Sequence, residues 1–148
     1  MAQNDTLVFR VALEGQPSSY RDIEIESGKS LYQFAKAIND AFGFDFDHAF
    51  GFYSGLTPAT MMRKHPYYEL FADMGESDSG ALSVKRTKVA QAFPRTGHKM
   101  LFLFDYGDEW IFRITLRKAA QKIAKTRYPR VVASEGEAPE QYPEPEEG

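Results

Sequence analysis

Asp105, Asp108 and Glu109 place three carboxylates within five residues. Hard cations such as Mg²⁺ take carboxylate oxygens, and one or two such ligands plus water suffice. His48, if the fold brings it alongside, would add a ligand or a general base. Asp105, Asp108 and His48 thus outline a metal-assisted phosphoryl-transfer or nuclease-like site. A plainer account fits the same residues. Turn aspartates hydrogen-bond nearby backbone amides, and Asp105-Tyr106-Gly107-Asp108 falls where a hairpin would reverse. The turn account is preferred, so no catalytic residue or metal ligand is assigned and no cofactor is expected.

A second constellation is basic. Arg113, Arg117, Lys118, Lys122, Lys125, Arg127 and Arg130 follow one another without an intervening acid. Lys85, Arg86 and Lys88 form a smaller group. Phosphate backbones are bound by charge of this kind whatever their sequence. A solvated face produces the same pattern, and Tyr128 is the one aromatic in the stretch placed for base stacking. His65 and His98 read as surface histidines. Trp110, the sole tryptophan, reads as a core anchor.

Alternating apolar residues define the elements that must position these groups. Leu7, Phe9, Val11 and Leu13 share one face of a strand, and Ile23 and Ile25 belong to a second, so residues 7–25 read as an antiparallel hairpin. Ser30 followed by Gln33 is a capping box. Leu31, Phe34, Ile38 and Ala41 continue at helical spacing to Gly43, a C-terminal cap residue. Residues 49–53 read as a third strand. Residues 61–65 and 67–71 read as short helical pieces around Pro66, and 76–80 as a loop. Thr87 is positioned to cap a short helix ending near Ala92. Residues 99–116 form a second hairpin, with Gly107 available for positive φ in its turn. A short helix is expected over 118–125. The class is α+β, with a mixed or antiparallel sheet of two hairpins plus a third strand on one main helix, in the order ββαβ…(α)ββ.

Four pieces of the chain resemble the plasmid pRiA4b ORF-3-like family. They are the hairpin 7–25, the helix running through Gly43-Phe44 to Asp47-His48, the run Phe104-Asp105-Tyr106-Gly107-Asp108-Glu109-Trp110, and Tyr128-Pro129-Arg130. The third is similar to the family's Tyr-Asp-Phe-Gly-Asp-x-Trp signature and is the most specific. The motif positions are therefore Asp47, His48, Asp105, Tyr106, Gly107, Asp108, Trp110, Tyr128 and Pro129. Phe50 stands where family members often carry a second histidine, and the cysteine-bearing stretch that often follows Tyr-Pro-Arg is absent. The resemblance implies an α+β fold, and an association with plasmids or other mobile elements, more than an activity.

Composition narrows the classes further. With 148 residues, 43% of them hydrophobic, the chain suits one domain with its own core. The absence of cysteine excludes disulfide scaffolds, thiolate metal sites and cysteine nucleophiles. Walker, Gly-x-Gly-x-x-Gly, His-Glu-x-x-His and Gly-x-Ser-x-Gly motifs are missing. No basic-then-apolar leader opens the sequence, and its longest apolar run falls far short of the ~20 residues a membrane helix needs. A cytoplasmic protein without membrane contact is expected. Residues 131–148 hold six glutamates, three prolines and no basic residue, so disorder is expected from about Ser134. The formal charge of −3 then divides into +3 over residues 1–130 and −6 over the tail. The reading is a single domain over 1–130 with an acidic tail. It acts as a non-enzymatic binding or accessory module that meets a protein or nucleic acid through the basic segment 113–130.

Overall fold

The computed structural model describes residues 5–75 and 80–143. Strands β1 (Asp5–Leu13) and β2 (Gln16–Glu26) pair antiparallel from Thr6 opposite Glu26 to Ala12 opposite Tyr20. Helix α1 (Leu31–Phe42) follows, then β3 (Phe50–Tyr53), a 3-10 turn (Met61–Arg63), β4 (Tyr67–Glu69), α2 (Leu70–Asp73), β5 (Leu82–Ser83) and α3 (Val89–Ala92). Strands β6 (Lys99–Phe104), β7 (Trp110–Gln121) and β8 (Arg130–Glu135) complete a sheet in the order β5-β4-β3-β6-β7-β1-β2-β8. The β4–β5 pair is parallel and the others are antiparallel. No helix among the described residues is long and apolar enough to cross a membrane.

Helix α1 forms as its end residues dictate. Ser30 Oγ accepts from Gln33 N at 3.1 Å, and Gln33 Oε1 accepts from Ser30 N at 3.0 Å. At the far end Gly43 takes φ 73°, the left-handed conformation that closes a helix without a Cβ penalty. We expect Ser30→Ala to cost about 1 kcal/mol by urea denaturation, because two amides then lose their reciprocal bonds.

One sheet face carries α1. Leu7, Phe9, Val11, Ile23 and Ile25 meet Leu31, Phe34, Ala35 and Ile38 there, and Phe50, Phe52, Phe102, Phe104 and Phe112 continue the layer. Opposite Tyr53, Leu101 and Leu103 a smaller core on the other face holds Met61 and Tyr67, with Tyr106 beside it. Gly51 shapes this second face. A Cβ there would lie 2.7 Å from Tyr53 Oη, so only glycine lets the Tyr53 ring lean back along β3.

Several elements differ from expectation. Residues 118–121 extend β7, because the hydrogen-bonding edge of β1 runs to Asp5 opposite Gln121 and demands a partner. Residues 67–69 are strand, drawn into the sheet by pairing with β3. Thr87 Oγ1 donates to Ser83 O and caps no helix; Gln91 Oε1 instead accepts from Lys88 N at 2.8 Å. The expected disorder from Ser134 is corrected over the described part of the tail. Residues 130–135 pair with β2, and Gln141 is buried against the 45–47 loop. Glutamates on an edge strand remain solvated, so acidity does not oppose this pairing. Residues 144–148 lie outside the described residues, as do 76–79 of the expected loop.

Candidate functional site

The β6–β7 reversal and the loop between α1 and β3 bring the motif residues Asp47, His48, Asp105, Tyr106, Gly107, Asp108 and Trp110 to one corner. Asp105 N donates to Ala49 O at 2.9 Å, which locks the two loops together. The left-handed residues of the turn are Asp105, at φ 67°, and Glu109, at φ 55°, rather than Gly107. Aspartate tolerates that conformation because its side chain bonds locally. Here Asp105 Oδ1 accepts from Gly107 N at 3.0 Å and Asp108 N at 3.2 Å. A Cβ on residue 107 would stand 3.3 Å from the same oxygen, a tight approach that glycine relieves.

Asp105 is buried and keeps Oδ2 turned toward His48 Nε2 at 3.6 Å. The other imidazole nitrogen, Nδ1, lies 2.8 Å from Asp47 Oδ1. Nδ1–H donating to Asp47 fixes that tautomer. The Asp47 hydrogen bond, together with the negative field of Asp105, Asp47 and Asp108, raises the His48 pKa against an opposing effect of desolvation. Asp47 itself is held below the ordinary carboxylate range by its bonds to His48 and Tyr142, which outweigh desolvation.

Tyr142 and Gln141 also reach this corner, and sequence patterns did not single them out. Tyr142 Oη donates to Asp47 Oδ2 at 2.9 Å and lies 3.1 Å from His48 Nδ1. Desolvation and then the Asp47 bond push its hydroxyl up to about 12. The corner is thus a hydrogen-bonded carboxylate–imidazole–phenol cluster. In the alternative, metal-assisted account Asp105, Asp108 and His48 would serve a cation. Asp105 spends one oxygen on turn amides, Asp108 is exposed, and no group of three His, Cys, Asp or Glu side chains among the described residues is placed to hold a cation.

Trp110 opens β7 and packs its ring against Phe44 with centroids 5.0 Å apart, half-buried, which answers to a core anchor. Tyr106 turns to the other sheet face, where its hydroxyl lies 2.7 Å from Tyr53 Oη. Tyr128 and Pro129 sit apart from the turn. Tyr128 Oη accepts from Ile123 N at 3.0 Å and closes the β7–β8 loop, and Pro129 borders a groove with Ile23, Ala37 and Ala41.

The basic segment divides into two sets. Arg113 bonds Glu14, Lys122 bonds Glu26, and Arg130 bonds Glu24, so three of the seven cations have carboxylate partners. Arg117, Lys118, Lys125 and Arg127 are exposed and have no acidic partner among the described residues. A β-bulge arranges the first two. Leu116 faces Phe9 and Lys118 faces Val8, leaving Arg117 as the extra residue between them. A bulge lets successive side chains leave the same side of a strand. Lys99 stands opposite Thr115 one row away. Beside Lys99, where His98 O accepts from Leu116 N, burial and then the positive field of Arg95 and Lys64 hold His98 below the usual imidazole range.

The crystal structure of the protein of unknown function MM3350 from Methanosarcina mazei Go1 shares the fold with a TM-score of 0.74 at 18% identity, covering 93% of this chain and 72% of that one. No curated protein matches the chain. The family model described as plasmid pRiA4b ORF-3-like protein matches residues 5–144, so the strand β8 and the segment beyond it are part of what is matched. With its Asp-Tyr-Gly-Asp-x-Trp turn locked to Asp47-His48, the chain belongs to the plasmid pRiA4b ORF-3-like family.

Proposed function

We propose that this protein is a non-enzymatic accessory module that binds the phosphate backbone of nucleic acid. The observation that carries the reading is the bulge on β7. It presents Arg117 and Lys118 side by side without a carboxylate partner among the described residues, with Lys99 in the neighbouring row. Arg95 and Lys64 extend the positive field past His98. Lys125 and Arg127 continue it into the β7–β8 loop. Backbone recognition needs charge along a surface and no base-specific pocket. The family's plasmid description supports a setting among plasmids or mobile elements.

Fluorescence anisotropy with a labelled DNA duplex tests this. Binding should weaken steeply from about 50 to 200 mM salt, as counterion release requires. Charge reversal at Arg117→Glu and Lys118→Glu should lower affinity more than tenfold and flatten the salt slope by about 2, since each lost phosphate contact removes about 1. Charge reversal at Lys36, which pairs with Asp40 on α1, should leave binding unchanged. No binding of the unaltered protein at about 50 mM salt, or equal loss in all variants, overturns the proposal.

A further inference from the structure

The segment 137–143 crosses the sheet corner as a strap, and its attachments converge on His48. Ser19 Oγ donates to Glu137 O at 2.8 Å, and Ala138 packs against the main core. The Gln141 side chain mimics a strand partner. Its Oε1 accepts from Asp45 N at 2.7 Å and its Nε2 donates to Asp45 O at 3.1 Å. Nε2 also reaches Asp47 Oδ1 at 3.3 Å, the same oxygen that holds His48. Tyr142 then bonds the other Asp47 oxygen, with its ring centroid 6.2 Å from the imidazole.

We propose that His48 is a proton-operated latch that fastens this strap to the Asp105–Asp108 turn. The groups facing His48 come from every element around it: Asp47 from its own loop, Asp105 and Asp108 from the turn, and Tyr142 from the strap. Three of the four are acids, and the fourth is a phenol that stays neutral. As imidazolium, His48 donates Nδ1–H to Asp47 and directs Nε2–H toward Asp105 Oδ2. Its charge offsets both carboxylates. Loss of the proton leaves from Nε2, because Asp47 retains Nδ1–H. A lone pair then faces the Asp105 carboxylate, and Asp47, the shared anchor of Gln141 and Tyr142, loses its counter-charge. The strap loosens from the corner.

The sign follows from the direction of the His48 shift. Its folded pKa lies above the ordinary imidazole value of about 6.5, so the latch contribution is complete below that value. It is lost as pH rises through the folded pKa. Opening would uncover the Asp45–Asp47 backbone and the buried Gln141 site, giving the motif corner two surfaces selected by pH.

Hydrogen exchange of the full chain, followed by NMR, tests the latch. After correction for intrinsic exchange, protection of amides in 138–143 should fall severalfold between about pH 5 and 8.5, the range over which histidine titrates. The midpoint should coincide with the titration of the His48 ring protons. In His48→Gln the protection should lose its pH dependence, while amides of α1 keep their exchange rates and report an intact fold. Tyr142→Phe should lower strap protection at acidic pH and leave the upward His48 shift in place. Protection that is flat with pH in the unaltered protein, or that keeps its midpoint in His48→Gln, overturns the proposal. This outcome is independent of nucleic-acid binding, which is read through Arg117 and Lys118.

Discussion

Phe34→Ala is expected to destabilise the protein by about 3–5 kcal/mol, the usual range for deleting a buried phenylalanine ring. Phe34 is fully buried at the centre of the face that α1 turns to the sheet. Its ring centroid lies 4.5 Å from Phe9 on β1, 5.9 Å from Phe52 on β3 and 6.3 Å from Phe93 after α3. One side chain therefore ties both halves of the sheet to the helix and to the 89–93 crossover. The three neighbours are themselves rings held by further rings, so the site collapses poorly and a cavity remains. Domains of this size hold about 5–15 kcal/mol in total. Urea denaturation followed by circular dichroism should show a much lower midpoint with an unchanged slope. A loss below about 1 kcal/mol would mean that the aromatic layer is not the stability-determining core.

The parts of this fold that were legible in the sequence are those in which one local rule suffices. Ser30, Gln33 and Gly43 mark both ends of α1, period-two apolar residues mark β1 and most of β7, and an unbroken apolar run marks β6. Strands defined by a distant partner left no such mark. In β4 the residues Tyr67, Tyr68 and Glu69 are all buried, because loops cover one face and the main core the other, so no alternation exists. β8 is a short run ahead of an acidic, proline-bearing stretch whose composition argues for disorder. Its pairing with β2 spans more than 100 residues of sequence. The candidate site divides the same way. The turn carboxylates of Asp105 announced themselves by local chemistry. The meeting of His48 with Gln141 and Tyr142 did not, since neither residue type nor spacing marks an anchor 94 residues away.

The basic segment divides for the same physical reason. Counted along the chain, seven cations in a row look like one surface. In the sheet, β7 and β8 flank the β1–β2 pair, and β2 carries Glu24 and Glu26. Glu24 is buried between Arg130 and Thr6, and Glu26 meets Lys122. Charge separated by about 100 residues in sequence thereby pairs across strands, which is the cross-strand complement expected in an antiparallel sheet. The cations left outside this pairing are Arg117 and Lys118 at the bulge and Lys125 and Arg127 in the β7–β8 loop.

Tyr53→Phe is expected to cost about 2–3 kcal/mol, well above the effect of removing an exposed hydroxyl. Tyr53 is fully buried, and its hydroxyl donates to the Glu69 carboxylate while lying 2.7 Å from Tyr106 Oη. Glu69 is itself buried, so losing the Tyr53 hydroxyl strands a carboxylate in an apolar layer, and that desolvation dominates the cost. Tyr106→Phe removes an outer member that is half-exposed, and about 1 kcal/mol is expected. Tyr53→Phe combined with Glu69→Leu should recover part of the loss, because no polar group is then stranded. The network also has a pH signature. Desolvation above all raises both hydroxyls; for Tyr53 the neighbouring Tyr106 and Glu69 add to it, whereas for Tyr106 the Tyr53 hydrogen bond partly offsets it. Their contribution is complete below the unfolded tyrosine value of about 10 and is lost as pH rises above it toward the folded values. Ultraviolet titration should therefore place Tyr53 and Tyr106 among the tyrosines that ionise last, as the protein unfolds in alkali. Tyr53→Phe should remove one of them and leave the second raised, because Tyr106 stays desolvated near Glu69 and loses the hydrogen bond that partly offset this. Normal ionisation of all eight tyrosines in the folded protein would contradict the network. Because Tyr106 belongs to the signature turn, the same bonds hold that turn to β3 and β4, so loss of Tyr53 should also raise amide exchange at Gly107 and Asp108.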